Sequence, residues 1–316
     1  MKIIVTGALG HIGSKLIRNL PFAFPNLDII LIDNLSTQRY CSLFDLPNEG
    51  NFKFIPVDIV TENIEELFED VLVVIHLAAI TDATNSFKNK KLIEENNFHS
   101  TKILADICSK RQIQMIYLSS TSVYGTQKDT VDENCNLTNL KPQSPYATIK
   151  LKEENYLKSY GLTNNLKFTI LRFGTIFGIS RGMRFHTAVN KFCWQAVVGQ
   201  SLTVWSTALN QKRPYLDLND AINSIIFVIK NNLFCGEIYN VVTCNETVKN
   251  IISYIQKSVK NINIQYVDNE IMNQLSYNVL NKKIIRCGFK FEGNIEKGIY
   301  ETIQTLKNIN FQNKIK

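Results

Sequence analysis

The chain has 316 residues, 45% of them hydrophobic and 20% charged, which is ordinary for a globular protein with one large domain or two smaller ones. Lys and Arg number 35 against 28 Asp and Glu, but they never gather into a run that suits a nucleic-acid backbone. No apolar run approaches the roughly 18 residues that a membrane span needs. We therefore expect neither a nucleic acid nor a membrane as a partner.

The cysteines indicate a reducing compartment. There are seven of them, widely spaced, with no Cys-x-x-Cys pair and no His at metal-ligand spacing. We therefore expect a cytoplasmic protein without a metal site. The apolar start of MKIIVTGALGHIG is too short for a signal peptide.

Short apolar, β-rich runs alternate with longer amphipathic segments. Their hydrophobicity is continuous rather than alternating, as in strands that are covered on both faces. This rhythm predicts an α/β fold with a doubly wound parallel sheet of Rossmann type. The predicted strands cover residues 2–6, 28–32, 52–57, 71–77, 113–118, 167–171 and 236–242.

We expect two parts in the chain. Residues 1–178 form a dinucleotide-binding domain, to whose sheet the strand at 236–242 returns. Residues 179–316 form mainly a smaller substrate-binding part. From residue 243 onward the pattern predicts two amphipathic helices and a polar tail rich in Asn and Lys.

A glycine-rich turn follows the first predicted strand. Gly7, Gly10 and Gly13 stand in GALGHIG, directly before the helix-compatible segment SKLIRNL. This spacing permits a tight turn, close approach of backbone N–H groups to a pyrophosphate, and close packing of the helix on the strand. The helix N-terminus adds a favourable partial charge. The pattern therefore predicts a dinucleotide site.

Asp33 indicates which dinucleotide binds. It ends the second predicted strand, twenty residues past Gly13. A carboxylate there accepts hydrogen bonds from the adenosine ribose hydroxyls and repels a 2′-phosphate. No Arg adjoins it in the sequence. NAD is therefore favoured over NADP as the cofactor.

Hydroxyl side chains end the fifth predicted strand in SSTSVYG, residues 119–125, where they cost free energy unless they find partners. Tyr146 and Lys150 follow in SPYATIK, four residues apart and thus on one face of a helix. A cation beside a phenol lowers a pKa that starts at about 10, so Tyr146 can act as a general base toward an alcohol. We expect at least one of the hydroxyls to face a substrate oxygen, because ligands of parallel sheets bind at this edge.

The chain resembles the extended short-chain dehydrogenase/reductases over nearly its full length, specifically the NAD-dependent nucleotide-sugar epimerases and dehydratases. The matching motifs are VTGALGHIGS, LIDNLS, VDI, HLAA, ENNFHST, SSTSVYG, SPYATIK, LRFGTIFG, KRPYLDLNDA, GEIYNVV and CGFKF. The resemblance implies a catalytic set of Ser120, Tyr146 and Lys150, in which Ser120 is the hydroxyl partner of Tyr146. It also implies that Arg213 grips the nucleotide diphosphate, a bidentate task suited to guanidinium.

The resemblance implies further contacts by position. The cofactor contacts are Gly7, Gly10, His11, Ile12, Gly13, Asp33, Asn34, Asp58, Ile59, Leu77, Ala78, Ala79, Asn97, Tyr146 and Lys150. The substrate contacts are Thr121, Thr175, Arg184, His186 and Arg213.

Within this branch the residues favour one chemistry. Sugar 4,6-dehydratases carry an Asp–Glu pair directly after the catalytic Thr, where this chain has Thr121 and Ser122, so dehydration is not expected. What remains is NAD-dependent oxidation of the 4-hydroxyl of a GDP- or UDP-linked sugar, with Tyr146 taking the proton. The enzyme is a 4-epimerase if the 4-keto sugar turns over before hydride returns, and a 4-dehydrogenase if it leaves.

Other members of the branch leave alternatives open. A reductase/3,5-epimerase uses a Cys and a His; His186 is available for this, but it could equally be held among Arg181, Arg184 and a phosphate, and Cys108 is expected to pack on a helix. Thr175 and Ile179 also depart from the Asn and Pro of common epimerases.

The surrounding segment GMRFHTAVNKFCWQA is similar to one in enzymes of bacterial capsule and lipopolysaccharide synthesis, including GDP-heptose 4-dehydrogenases. A non-catalytic NAD sensor is a further alternative, although it has no need of the Ser, Tyr and Lys together. Residues 92–107 and 146–160 resemble the two helices that pair across a dimer interface, which implies a homodimer. Their apolar positions could equally cover the sheet.

Overall fold

The computed structural model describes residues 1–81, 87, 90–125, 130–136, 138, 140–267 and 277–307. The strands are β1 (Lys2–Thr6), β2 (Asp28–Ile32), β3 (Asn51–Ile55), β4 (Val71–His76), β5 (Gln114–Ser120), β6 (Thr130–Val131), β7 (Phe168–Phe173), β8 (Thr175–Phe177), β9 (Leu202–Trp205), β10 (Lys212–Asp217), β11 (Ile238–Val241), β12 (Cys244–Thr247), β13 (Ile264–Val267) and β14 (Asn278–Val279). The α-helices are α1 (His11–Ala23), α2 (Lys90–Ile93), α3 (His99–Lys110), α4 (Pro145–Asn164), α5 (Ala188–Val197), α6 (Leu218–Lys230), α7 (Val248–Ser258), α8 (Lys282–Arg286) and α9 (Ile295–Leu306).

Seven parallel strands form the main sheet, in the order β11-β7-β5-β4-β1-β2-β3. Each predicted strand is present within two residues of its predicted bounds, so the α/β fold with a doubly wound sheet is confirmed. The chain runs outward from β1 to β2 and β3, and then crosses back to β4 on the other side of β1. This reversal of strand order leaves a crevice at the carboxyl ends of β1 and β4.

Both faces of the sheet are covered, which explains the continuous hydrophobic runs. Ile3 and Val5 of β1 pack in a core with α1 and α6, whereas Ile4 packs on the opposite face in a core with α3 and α4. All three side chains are fully buried. Because successive strand residues alternate between faces, the central residues of such a strand are all apolar.

Helix α4 begins where its sequence dictates. The Ser144 hydroxyl accepts a hydrogen bond from the Ala147 N–H, and Pro145 occupies the first helical position, where no N–H partner is needed. The helix ends at Asn165, whose backbone is left-handed with φ of +53°. These signals place Tyr146 in the first turn and Lys150 one turn later.

The C-terminal half contains smaller sheets and a separate core. Helices α5, α7 and α9 pack with β9 and β10, and the small sheets have the orders β12-β10-β8, β13-β9 and β14-β6. The two amphipathic helices expected after residue 243 correspond to α7 and α9, and β12, β13, β14 and the short α8, which were not expected, also lie there. These elements of two to five residues are too short to show periodicity, and the strands are set by pairing with distant segments.

Strand β11 lies at one edge of the main sheet, beside β7, although it follows the C-terminal half in sequence. The division into residues 1–178 and 179–316 stays a prediction. The expected polar tail, residues 308–316, lies outside the described residues. In the part of the chain that the structure describes, no helix is both long and apolar enough to cross a bilayer.

Candidate active site

The glycine-rich turn lies against the end of β4. Gly7 has a φ of +66°, and a Cβ atom there would stand 2.6 Å from the Ala78 backbone nitrogen. A Cβ atom at Gly13 would stand 2.4 Å from the Gly7 carbonyl oxygen. Only glycine therefore allows β1, β4 and the start of α1 to approach this closely, and the backbone N–H groups of the turn border the crevice.

Asp33 braces this turn at the end of β2. Its Oδ2 accepts a hydrogen bond from the Leu9 N–H at 3.1 Å, and its Oδ1 accepts one from the Leu35 N–H at 3.0 Å. Arg39, six residues further on, also lies close to this carboxylate: burial lowers the pKa of Arg39 and the charge of Asp33 opposes that effect. The folded chain thus brings an Arg to Asp33 that does not adjoin it in the sequence.

Most of the other expected cofactor contacts lie along the carboxyl edge of the sheet. Asn34 donates from Nδ2 to Asp58 Oδ2 at 2.8 Å, which joins the ends of β2 and β3. Asn97 is fully buried, and its side chain holds the segment after β4 by accepting from the Ile80 N–H at 2.8 Å and donating to the Ile80 carbonyl at 3.1 Å. The remaining edge positions are Ile59, Leu77, Ala78 and Ala79.

A cavity of about 300 Å³ opens at this edge. It brings together twelve residues that the sequence assigned to cofactor, catalysis or substrate. They are His11, Ile12, Leu77, Ala79, Ser120, Thr121, Tyr146, Lys150, Thr175, Arg184, His186 and Arg213. Gly7, Gly10, Gly13, Asp33, Asn34, Asp58, Ile59, Ala78 and Asn97 lie outside its lining. The lining thus combines residues from both halves of the chain.

Ser120 and Tyr146 both line the cavity, close enough for the Ser120 hydroxyl to lower the pKa of the Tyr146 phenol in part. Ser120 Oγ accepts from the Ser122 hydroxyl at 2.9 Å and from the Ser122 N–H at 3.2 Å. Its own proton can therefore be donated to the Tyr146 oxygen, which would stabilise a phenolate. The other two hydroxyls of the segment are satisfied internally, since Ser119 donates to Glu154 and Thr121 donates to the Phe173 carbonyl.

The protonation of Tyr146 differs from the sequence expectation. Burial raises the pKa of its phenol well above the ordinary value, the carboxylate of Glu153 raises it further, and the Ser120 hydrogen bond lowers it in part. The expectation that Lys150 lowers this pKa is not met in the structure. The reason is that Lys150 Nζ is directed to the Tyr117 hydroxyl and the Leu118 carbonyl, each at 3.0 Å.

A buried ion pair lies next to the carboxyl ends of β5 and β7. Arg172 of β7 donates from Nε to Glu154 Oε1 at 2.9 Å and from Nη2 to Oε2 at 2.6 Å. Both side chains are almost fully buried, at 3% and 1% exposure. Burial opposes the charge of Arg172, but the hydrogen bonds to Glu154 raise its pKa above the ordinary value. The pair ties α4 to the carboxyl ends of β5 and β7.

The C-terminal half supplies the cationic wall of the cavity. Arg213 of β10 donates to Gln211 Oε1 at 3.1 Å and makes no salt bridge with a described carboxylate; burial lowers its pKa. Arg184 donates from Nη2 to the Thr81 hydroxyl and so reaches across to the segment after β4. Thr175 is half-buried and His186 is exposed at the cavity mouth. This wall suits an anionic ligand group.

Three further hydrogen bonds fasten the C-terminal half to the glycine-rich turn. His11 donates from Nε2 to the Gly178 carbonyl at 2.9 Å, Ser180 donates to the His11 carbonyl at 2.8 Å, and the Gly182 N–H donates to Ser14 Oγ at 2.9 Å. Because burial lowers the pKa of His11 to about 4, this ring is neutral near pH 7. We name residues 178–182 with these three bonds the clasp.

Sequence reasoning missed several residues of the site. Gln143, Pro214 and Tyr277 line the cavity, and Glu153 lies directly behind Lys150. Glu153 could have been found, since it follows Lys150 by three residues and shares its helix face. The cavity positions of Pro214 and Tyr277 depend on the pairing of β10 with β8 and β12 and of β14 with β6, for which the local pattern gives no signal.

The fold and the site define a doubly wound dinucleotide-binding protein with a Ser–Tyr–Lys set at the carboxyl edge of its sheet. The model of the NAD dependent epimerase/dehydratase family matches residues 3–241. The chain belongs to this family, as the sequence motifs predicted.

Two curated relatives illustrate the range of the family. The trifunctional UDP-glucose 4,6-dehydratase/UDP-4-keto-6-deoxy-D-glucose 3,5-epimerase/UDP-4-keto-L-rhamnose-reductase RHM2 of Arabidopsis thaliana is 29% identical over 95% of this chain and 46% of its own length. The uncharacterized UDP-glucose epimerase YtcB of Bacillus subtilis is 32% identical over 76% of each protein. The chain thus spans about half the length of the plant relatives that it matches.

Among solved structures, the UDP-glucuronic acid 4-epimerase from Bacillus cereus, in complex with UDP-glucuronic acid and NAD, superposes with a TM-score of 0.86. It is 25% identical, and the match covers 98% of this chain and 99% of that chain. The similarity therefore extends through the C-terminal half as well as the main sheet.

The Gly7 contact leads to a testable prediction. We expect Gly7→Ala to weaken NAD⁺ binding at least tenfold, because the added Cβ would displace the turn from the Ala78 backbone. Gly199→Ala is the matched control: Gly199 has a similar φ of +70°, but a Cβ there meets no atom within 4 Å. Isothermal titration with NAD⁺ measures both. Equal losses in the two variants would show that backbone strain alone is responsible.

Proposed function

We propose that the protein is an NAD-dependent enzyme that oxidises the C4 hydroxyl of a nucleotide-diphospho sugar to a 4-keto species. The observation that carries this proposal is that Ser120, Tyr146, Lys150 and Arg213 line one cavity, in which the Ser120 hydroxyl lowers the pKa of the Tyr146 phenol in part. A phenol that lies beside a hydroxyl donor and faces a ligand cavity can act as the general base that takes the proton of an alcohol.

NAD is the cofactor of the family, and the described residues fit it. A Cβ atom at Gly7 or Gly13 would clash with the backbone of Ala78 or of Gly7, so glycine is what permits the tight turn and close helix packing of a pyrophosphate site. The Asp33 carboxylate at the end of β2 suits the adenosine ribose, and Lys150 suits the nicotinamide ribose. When bound, NAD⁺ accepts the hydride from C4 and brings positive charge that favours a phenolate.

The residues of the chain divide the remaining work. Tyr146 Oη takes the proton of the C4 hydroxyl, and the Ser120 hydroxyl steadies that oxygen and the phenolate by donating its proton. Lys150, held against β5, contributes an ammonium group to the same wall. The buried guanidinium of Arg213 and the neighbouring Arg184 hold the diphosphate, since Arg matches phosphate geometry in bidentate pairs.

The lining argues against dehydration, although dehydratases are among the relatives. No described Asp or Glu lines the cavity. The hydroxyl of Thr121 is committed to Phe173 and that of Ser122 to Ser120, so neither position offers the acid and base that elimination of water requires. A Cys is likewise missing from the described lining, which disfavours a reductase/3,5-epimerase that uses a Cys and a His. An intact Ser–Tyr pair has no use in a non-catalytic sensor.

The test is to incubate the purified protein and NAD⁺ with UDP-, GDP-, CDP- and dTDP-linked sugars in D₂O, including a GDP-heptose. Products are followed by NMR and the reduced cofactor by its absorbance. Inversion at C4 without deuterium uptake identifies a 4-epimerase, and a 4-keto product with accumulating NADH identifies a 4-dehydrogenase. Loss of water from the sugar, or no change in any of them, would contradict the proposal.

We propose further that the enzyme is a cytoplasmic homodimer that supplies precursors of bacterial surface polysaccharides, as the resemblance implies. The π-helical turn Glu94–Phe98 and helix α4 lie side by side, with the Phe98 and Tyr156 rings 5.6 Å apart. Ile93, Leu104 and Ile107 are buried toward the sheet, whereas Leu92 is 55% exposed. We expect light scattering to give twice the chain mass of 36.1 kDa, and a monomer mass would refute the dimer.

A further inference from the structure

A buried carboxylate stands directly behind the catalytic lysine. Glu153 is 1% exposed, follows Lys150 by one helical turn, and places Oε2 3.5 Å from Lys150 Nζ. An isolated buried carboxylate is costly, so it requires hydrogen-bond donors or an opposite charge. Glu153 itself does not line the cavity, and the proposed reaction does not use it as an acid or base.

The groups around Glu153 indicate which form of its carboxyl group is favoured. The Tyr117 hydroxyl donates to Oε2 at 2.5 Å, and the Thr101 hydroxyl donates to Oε1 at 2.6 Å. The ammonium group of Lys150 is the third group beside this carboxylate. Two hydroxyl groups at hydrogen-bond distance and a nearby ammonium group favour the acceptor form of the carboxylate. The pair of Glu153 and Lys150 therefore carries opposite charges inside the protein.

Proton positions can be assigned along the row of hydrogen-bonded side chains that continues from Glu153 to Thr101, His76 and Thr6. Because Thr101 gives its proton to Glu153, it accepts from His76 Nε2 at 3.3 Å. The other ring nitrogen, Nδ1, then accepts from the Thr6 hydroxyl at 2.8 Å, and Thr6 accepts from the Ala78 N–H at 3.3 Å. Burial lowers the pKa of His76 to about 3, in agreement with a neutral ring. The tautomer follows from the hydrogen-bond partners.

Lys150 is the end of the row that reaches the cavity. Lys150 lines the cavity, while its Nζ donates to the Tyr117 hydroxyl and the Leu118 carbonyl and lies 3.5 Å from Glu153. Burial lowers the pKa of this amine, and Glu153 is the main influence that raises it. The ionisable groups that face Lys150 are Tyr146, Glu153 and Glu154 on α4, Tyr117 on β5 and His76 on β4.

We propose that Glu153 is a positioning residue that holds the Lys150 side chain against β5 and keeps its amine in the ammonium form. This inference rests on the proposed function, because that function gives Lys150 its task at the cavity wall. The negative charge of Glu153 also disfavours the phenolate form of Tyr146. Glu153 therefore favours the ammonium form of Lys150 but makes Tyr146 harder to ionise. A turnover rate would reflect both effects together, so the protonation of Lys150 must be measured directly.

The first test is a titration of Lys150 in the protein without cofactor or sugar. Lysines labelled with ¹³C at Cε are followed by NMR, and the Lys150 signal is identified by its loss in Lys150→Met. We expect Glu153→Gln to lower the titration midpoint of Lys150 by about one pH unit or more, as the loss of a close opposite charge requires. An unchanged midpoint would overturn the proposal.

A matched control exists on the same helix. Lys152 of α4 pairs with Glu94 at 2.5 Å, but these side chains are 45% and 41% exposed. We expect Glu94→Gln to shift the Lys152 midpoint much less, because water screens an exposed pair, and to leave the Lys150 midpoint unchanged. Equal shifts at both lysines would show that burial gives Glu153 no special role.

A second test covers the case in which Glu153→Gln does not fold. If Glu153 serves Lys150, then Lys150→Met leaves an unpaired buried carboxylate and lowers the thermal midpoint, and adding Glu153→Gln to it restores stability. A double variant that is no more stable than Lys150→Met would overturn the proposal. Neither test needs turnover, so each stands even if no sugar nucleotide is oxidised. In an active preparation, Glu153→Gln is also expected to shift the pH profile of kcat.

Discussion

Tyr146→Phe is expected to lower the rate of sugar oxidation by about 10²- to 10⁴-fold, the usual contribution of a general base. The substitution removes only the hydroxyl that Ser120 contacts and keeps the ring at the cavity wall. NAD⁺ affinity is expected to stay within a few-fold, because the glycine-rich turn and Asp33 are untouched. Single-turnover formation of NADH with the sugar that the panel identifies measures the first value, and isothermal titration measures the second.

Tyr300→Phe is the control for this substitution. Tyr300 lies on α9, is 53% exposed and does not line the cavity, so the same loss of a hydroxyl should leave the rate unchanged. If Tyr146→Phe oxidised the sugar at the rate of the unaltered protein, another group would have to take the proton. The proposed role of Tyr146 would then be wrong.

Arg172→Met is expected to lower the free energy of unfolding by about 3–5 kcal/mol, because it strands the buried Glu154 carboxylate without its bidentate partner. The control is Arg181→Met, which breaks a pair with Asp45 whose side chains are 54% and 73% exposed. That loss is expected to cost about 0–1 kcal/mol. Denaturant unfolding of the two variants compares them directly.

A double variant separates the charge from the packing. In Arg172→Met combined with Glu154→Gln the stranded charge is gone, so most of the lost stability is expected to return. If Arg172→Met alone cost no more than Arg181→Met, the buried pair would not be holding α4 to β5 and β7. Together with Glu154→Gln alone, these variants complete a cycle that gives the coupling of the two residues.

The main sheet was predictable from sequence because its signal is local. Buried parallel strands are short apolar runs, and the turn after β1 carries glycines at a spacing that few other structures require. The C-terminal half was predicted less completely. Strands such as β13 and β14 contain four and two residues, and they exist because β9 and β6 lie beside them. No pattern within so short a segment distinguishes it from a loop.

The candidate site shows the same division. Tyr146 and Lys150 could be identified because their spacing on a helix is fixed, and both line the cavity as expected. The ionisation of Tyr146 was misjudged, because it depends on groups that are distant in sequence. Tyr117 draws the ammonium group away, and Glu153 faces the same space. Such effects depend on burial and orientation, which a linear motif does not contain.

The clasp has a kinetic consequence. Parting residues 178–182 from the glycine-rich turn breaks three hydrogen bonds of about 1 kcal/mol each, so fewer than about one molecule in a hundred is open at this seam at any moment. A seam that is closed most of the time would hinder the release of a dinucleotide bound beside the glycine-rich turn. Its exchange with the surrounding pool would then depend on how often residues 178–182 part from that turn.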